Sequence, residues 1–317
     1  MSIKTITKIV CFVISLFVVT ASVSSCSGIS YGGSETAANA SPYKAPEILA
    51  RINSPEINES SGLAVSRCQD NVFWTHNDSG GGPFIYAFDS KGETLGVWRV
   101  LEASNVDWED MATSVTADGK CYLYIGDIGD NEKKHEVLTI YRFAEPTVPA
   151  NSSNLSREKA ISIEKADRLT FKYPNTPNNA EALLVNPLTG SMYVVTKAAS
   201  GPAEVFRLEA KFNSGETQAA AKVADISLPA SPIGFVTGGA ISPDGRSLAL
   251  CDYSAGYEFS LPTNASSFDE IWFQTPSRFD LGPRLIGESV AFGADSNAVF
   301  ATTEKRRAPL IRVERKK

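Results

Sequence analysis

Glu59, Glu109, Glu181 and Glu288 each open a version of one short phrase: Glu59-Ser-Ser-Gly-Leu-Ala-Val-Ser, Glu109-Asp-Met-Ala-Thr-Ser-Val, Glu181-Ala-Leu-Leu-Val-Asn-Pro and Glu288-Ser-Val-Ala-Phe-Gly-Ala-Asp. A fifth copy, Gly239-Ala-Ile-Ser-Pro-Asp-Gly, lacks the carboxylate. A second polar set follows 13 to 18 residues after each start: Asn77-Asp78, Asp127, Thr196-Lys197, Asp252-Tyr253 and Thr303-Glu304. Three runs are denser still: Asn77-Asp78-Ser-Gly-Gly-Gly, Asp107-Trp-Glu109-Asp110 and Gly126-Asp127-Ile-Gly-Asp130-Asn131. Carboxylates and amide carbonyls are hard oxygen donors, the ligand type that suits calcium. Brought together, they require compensation, because two carboxylates about 5 Å apart repel by roughly 3 kcal/mol at an effective dielectric near 20. A cation, a basic neighbour such as Lys197, or raised pKa values would supply it. The candidate cation ligands are Glu59, Asn77, Asp78, Glu109, Asp127, Asp130, Asn131, Glu181 and Glu288. Asp107, Asp110, Lys197, Asp252, Tyr253 and Glu304 are candidates for contact with a bound polar ligand. The same residue types also form ordinary turns, and a glutamate at a strand start can simply bind amides of a neighbouring sheet. No twelve-residue EF-hand loop is present to specify calcium by pattern.

Other chemistries find less support. His76 and His135 are the only histidines, too few for a His-rich zinc site. His76 adjoins Asn77-Asp78 and is the candidate general base; the alternative is a partly buried strand histidine. His135 lies in Glu132-Lys-Lys-His-Glu and reads as solvated. The chain has no Gly-x-Ser-x-Gly elbow, no phosphate-binding glycine loop and no Cys-x-x-Cys.

The elements that must position the acids are short strands in a repeat. The five openings lie 50, 72, 58 and 49 residues apart, and periods of roughly 40–50 residues mark propeller blades. Second strands follow at Val72-Phe-Trp-Thr-His, Tyr122-Leu-Tyr-Ile-Gly, Met192-Tyr-Val-Val-Thr, Leu248-Ala-Leu-Cys and Val299-Phe-Ala-Thr-Thr, after turns such as Ala117-Asp-Gly, Leu188-Thr-Gly and Pro243-Asp-Gly. Third strands are expected at Phe84, Leu138, Glu204, Glu270-Ile-Trp-Phe-Gln and Leu310, and weaker fourth strands at Gly96, Arg168, Lys222 and Pro283-Arg-Leu-Ile. The fold expected is all-β: a β-propeller of five blades, with six as the alternative. The strand Pro46-Glu-Ile-Leu-Ala-Arg-Ile would complete the last blade and close the ring, removing the open edges. The long second spacing contains 146–165, read as a surface excursion or a hidden sixth blade. The two ends of each inner hairpin bring both polar sets to one end of the blade, hence to one mouth of a central channel.

The chain has 317 residues and a formal net charge of −6, two units more negative without Lys4 and Lys8. That balance disfavours nucleic acid or anionic lipid and suits cations. Lys4, Lys8 and the apolar run from Ile9 to Val19 read as a signal peptide, residues 1–25. Val23-Ser-Ser-Cys26 resembles a lipobox that would lipidate Cys26, with ordinary signal cleavage as the alternative. Residues 26–45 read as a flexible tether and 46–317 as one propeller domain. The localisation expected is the bacterial cell envelope, lipid-anchored or periplasmic or extracellular, with membrane contact only through the anchor and the protein a monomer. Cys68 and Cys121 hold matching places after the first strands of consecutive repeats. In an oxidising compartment they are expected to form a disulfide, with two separate thiols as the alternative. Cys251 reads as a core residue.

Ser61-Gly-Leu-Ala, Trp74-Thr-His-Asn-Asp-Ser-Gly, Asp107-Trp-Glu-Asp-Met-Ala, Leu123-Tyr-Ile-Gly-Asp-Ile-Gly-Asp-Asn and Val236-Thr-Gly-Gly-Ala-Ile-Ser-Pro-Asp-Gly resemble a family of exported bacterial β-propeller proteins, many of them lipoproteins. The resemblance runs from Pro46 to Val313, and this chain departs from it at Cys251, where the family often carries arginine. More remotely, the chain is similar to calcium-dependent lactonase and phosphotriesterase propellers of six blades and to phytase-like propellers. That resemblance implies channel-bound calcium held by acids and asparagines, with a small polar molecule as ligand. It makes a metal-dependent hydrolase of an ester, lactone or phosphoester one functional alternative. A non-catalytic module that binds an envelope protein is the other.

Overall fold

Runs of β-branched and aromatic residues form the strands, and glycines close the hairpins between them. Gly119, Gly190 and Gly245 take φ of 78°, 72° and 68°, a left-handed conformation that glycine adopts at little cost. The structure is a computed structural model that describes residues 41–229 and 234–317. Residues 1–25, read from the sequence as a signal peptide, and Cys26 with most of the expected tether lie outside the described residues.

Five sheets, each built on four antiparallel strands, make five blades. Their inner strands are Ser60–Val65, Trp108–Val115, Ala180–Val185, Gly238–Ile241 and Ser289–Phe292. Each inner strand contacts the next, and the last contacts the first, so the ring closes. The strand Glu47–Arg51 pairs antiparallel with Pro309–Glu314 and completes the fifth blade, as expected from the sequence. Five apolar clusters form the core, one at each interface between blades. The 146–165 excursion is not a blade. It contributes one short strand, Ile161–Ile163, laid parallel to the outer strand Thr94–Val100 of blade 1.

Two assignments in blade 4 are corrected. Residues 270–274 are not a strand: Phe268–Phe273 is a 3-10 helix. Ser267 and Glu270 form a capping box, and Phe268, Ile271 and Trp272 recur at helical spacing on the buried face. The third strand is Ala255–Ser260, and the fourth is Ser277–Asp280 rather than residues 283–286. Cys68, in the first hairpin turn of blade 1, is disulfide-bonded to Cys121, the first residue of the second strand of blade 2, across 53 residues of chain. A closed loop of that length lowers the entropy of the unfolded chain by an amount worth about 4 kcal/mol.

Candidate cation site at the channel mouth

The inner hairpins aim the acids by two devices. In blade 2 the register passes from Trp108↔Asp127 to Asp110↔Gly126, which leaves Glu109 as the extra residue of a β-bulge. Blade 3 repeats this: Ala180 faces Thr196, Ala182 faces Val195, and Glu181 is the extra residue. A bulge bends the strand and redirects one side chain. The second device is the residue just before the first ladder pair: Glu59, Asp107, Asn179, Thr237 and Glu288 in blades 1 to 5. The repeated glutamates therefore occupy two tiers rather than one ring. Glu59 matches Asp107, and Glu109 matches Ser61.

Asp78, Asp107 and Glu109 each offer a carboxylate oxygen, and the three oxygens lie within 4.8 Å of one another. That is the span across one calcium ion with bonds of about 2.3–2.6 Å. Asp78 sits on its loop through N–H donation to Glu59 O (2.9 Å) and through Asn105 Nδ2, which donates to Asp78 O (2.9 Å). Asp107 is set by Asp127, whose Oδ1 accepts the N–H groups of Asp107 (2.8 Å) and Val106 (3.2 Å). Gly129 runs beneath the pair; a β-carbon there would overlap both Glu109 Oε1 and Asp107 Oδ2. The Gly126-Asp-Ile-Gly motif thus spaces its second glycine for close approach to carboxylates.

Glu181 and Glu288 flank this trio. Glu181 Oε1 accepts from Lys197 Nζ and from Asn179 Nδ2, both at 3.0 Å. Lys197 also donates to Tyr253 Oη (3.1 Å), and its ammonium stands 5.1 Å from the ring centres of Phe235 and Tyr253. Glu288 is 4% exposed, and among the described residues its Oε2 has no hydrogen-bond partner. Such an orphan is costly unless something else is bound there.

Electrostatics report the crowding. Burial, then the charges of Asp78 and Glu181, push Asp107 up to about 7. Burial and Glu181 push Glu288 up to about 8, against the pull of Lys197. Glu109 is raised well above the carboxylate range by burial and by Glu181, Asp78 and Asp107. Asp78, Glu181 and Glu304 are raised as well, each chiefly by burial. Burial alone would lower Lys197, but Glu181 and Glu288 hold it above the usual lysine range.

Other candidates serve the loops. Asn77 accepts the N–H groups of Asn58 and Glu59 and donates to Glu56 O. Asp130 accepts from the amides of Lys134 and His135. Asp252 accepts from Ser254, Ala255 and Tyr257 Oη. Asn131 is exposed and accepts from Asn179 Nδ2; Glu59 is exposed on the rim. Asp110 is fully buried in the channel, where its carboxylate accepts from the backbone of Met111 (2.8 Å), Leu183 (3.0 Å) and Gly239 (3.2 Å). It ties blades 2, 3 and 4 together. His76 is also fully buried, edge-on to Trp108, with its Nδ1–H donating to Asn77 O at 3.1 Å. Burial draws it down to about 4. It lies inside the hairpin under Gly62 and Met111, not among the mouth carboxylates.

Sequence reasoning missed Asn179, which donates to Glu181 and accepts from the Asp130 amide at 2.7 Å. Its signal was available: Asn179-Ala-Glu181 repeats the spacing of Asp107-Trp-Glu109. Arg284 was missed too. It stands beside Cys251, where the resembled family often has arginine, and its Nη2–H donates to Asp252 O at 2.9 Å.

No family profile matches the chain, and no curated protein matches it. Among solved structures, the chain is similar to a gluconolactonase of Xanthomonas campestris, at 13% identity and a TM-score of 0.46, covering 86% of this chain and 95% of that one.

Proposed function

We propose that the acidic mouth binds a divalent cation, calcium, and through it a small polar ligand. The observation that carries this reading is the group of oxygens from Asp78, Asp107 and Glu109 within 4.8 Å of one another. The buried, unpartnered Oε2 of Glu288 supports it. The donor set is all oxygen, which suits calcium over softer metals. Asp78, Asp107 and Glu109 would hold the ion, with Glu288 and Glu181 beside them. A bound cation would supply charge neutralisation and polarisation of a ligand oxygen.

The hydrolase form of this reading would use Glu288, which stands beside the proposed ligands and is raised to about 8 chiefly by burial, for proton transfer. Esters, lactones and phosphoesters are the substrate classes to screen. The same proposal places the propeller at the bacterial cell envelope as a monomer, held through a lipidated Cys26 or released after cleavage near it.

Calcium titration followed by melting temperature is the test. Stabilisation growing with free calcium and reversed by chelation is expected, about 2.7 kcal/mol at a hundredfold excess over Kd. A response that stays flat before and after chelation would sink the cation site and favour a non-catalytic envelope-interaction module.

A further inference from the structure

The hairpin turns at the other end of the channel frame a groove between blades 1 and 5, a cavity of about 640 Å³. That size suits a small organic molecule. Its apolar floor includes Val65, Phe73 and Phe300, and the two phenylalanine rings meet edge-on at 4.9 Å. Arg67 projects from the 66–71 turn into this groove and also lines the narrow, largely apolar end of the channel.

The turn is tightly held. Ser66 Oγ accepts the N–H groups of Cys68 (3.2 Å) and Gln69 (2.9 Å). Gln69 Nε2 donates to Glu145 Oε1 (2.8 Å) and Pro146 O (3.0 Å), and its Oε1 accepts from Val148 N (2.7 Å). Cys68 is cross-linked to blade 2. Yet Arg67 has no ion pair or hydrogen bond among the described residues, and burial is the sole influence on its basicity. The other charges of the groove are engaged or peripheral. Arg312 pairs with Glu314 at 2.7 Å, the Asp295 carboxylate accepts from Asn297, and Asp70 is exposed at the rim. A half-buried, unpaired guanidinium carried on a firmly held turn over an apolar floor suits a planar anion.

We infer that the groove binds a small amphipathic monocarboxylate, its carboxylate taken by Arg67 and its alkyl or aryl body laid on Val65, Phe73 and Phe300. A dianionic phosphate fits less well, because one free guanidinium balances only one of its two charges.

Calorimetric titration of the full, disulfide-intact chain with octanoate, 3-phenylpropionate, the matching uncharged alcohols and octyl phosphate tests this. The carboxylates should bind at least about tenfold more tightly than their alcohols, with Kd near or below about 1 mM, and octyl phosphate no more tightly than octanoate. Arg67→Gln should erase the preference for carboxylate over alcohol, and Arg67→Lys should retain only part of it. Both variants should keep the parent melting temperature; a variant that unfolds is replaced by Phe300→Ala, which should weaken carboxylate and alcohol alike. Equal binding of carboxylate and alcohol, a preference that survives Arg67→Gln, or no saturable binding overturns the inference.

Discussion

The two ends of the channel make opposite demands. At the mouth, carboxylates from blades 1, 2, 3 and 5 crowd around one another with Lys197 as their basic partner. At the far end, inner-strand residues such as Leu63, Met111 and Phe292 close on a void of about 30 Å³, and Arg67, the one cation lining that void among the described residues, has no ion pair there. Between them sits Asp110, with amide donors from three blades. Glu109 and Asp110 are neighbours in sequence, yet only Asp110 has its hydrogen bonds supplied by the fold. The lesson is that an acid in a propeller channel is a strut where amides converge on it and stays electrostatically uncompensated where they do not.

The largest effect should come from breaking the strut. Asp110→Ala would leave the N–H groups of Met111, Leu183 and Gly239 buried without acceptors, at roughly 1–3 kcal/mol each. A loss of about 3 kcal/mol or more in urea unfolding is expected, with the slope unchanged. A loss under about 1 kcal/mol would mean that Asp110 is no more structural than its neighbour.

That strut was legible only as an acid. The period, the hairpin turns and the ring-closing strand could be read because β alternation and glycine turns are local signals. The 3-10 helix at Phe268–Phe273 was hidden because Glu270-Ile-Trp-Phe reads equally well as a strand until the Ser267 cap is weighed against it. The mouth was foreseen as a place, but its members were not sorted. Whether an acid meets amides or other acids depends on a one-residue bulge and on chain more than a hundred residues away, as between Asp110 and Gly239. His76 reads as a base because it adjoins Asn77-Asp78, but strand alternation turns its ring into the interface between blades 1 and 2.

A change of pH should separate the two ends next. Asp127, Asp107 and Glu288 are raised to about 6, 7 and 8, each first of all by burial. A carboxyl with a raised pKa holds its proton more tightly when folded. Its stabilising contribution is full below the unfolded value near 4 and is lost as pH rises through the folded value. The metal-free protein should therefore melt progressively lower between about pH 5 and pH 8, by several degrees at roughly 2–4 °C per kcal/mol. Saturating calcium should flatten or invert that slope, because a bound cation favours the ionised acids. The Arg67 end should contribute nothing over this range, so Arg67→Gln should leave the slope intact. A melting temperature that rises with pH in the presence of chelator would contradict the crowded mouth.

The smallest effect is the most discriminating, because its sign opposes that of Asp110→Ala. Glu109→Gln keeps the shape of the side chain and removes one charge from a cluster whose members all raise it. At pH 5, where burial and the neighbouring acids favour the protonated form of the parent carboxyl, the two proteins should be nearly equal in stability. At pH 8, where ionisation of the cluster strains the parent, the variant should be the more stable by about 1 kcal/mol, a fraction of one close carboxylate repulsion. The variant should also lose most of the calcium response, since an amide oxygen replaces a charged ligand next to Asp78 and Asp107. Matched scans at both pH values, with calcium and with chelator, read all three outcomes. If Glu109→Gln destabilises the protein at both pH values while leaving the calcium response whole, then Glu109 is a strut like Asp110, and the contrast between the two acids disappears.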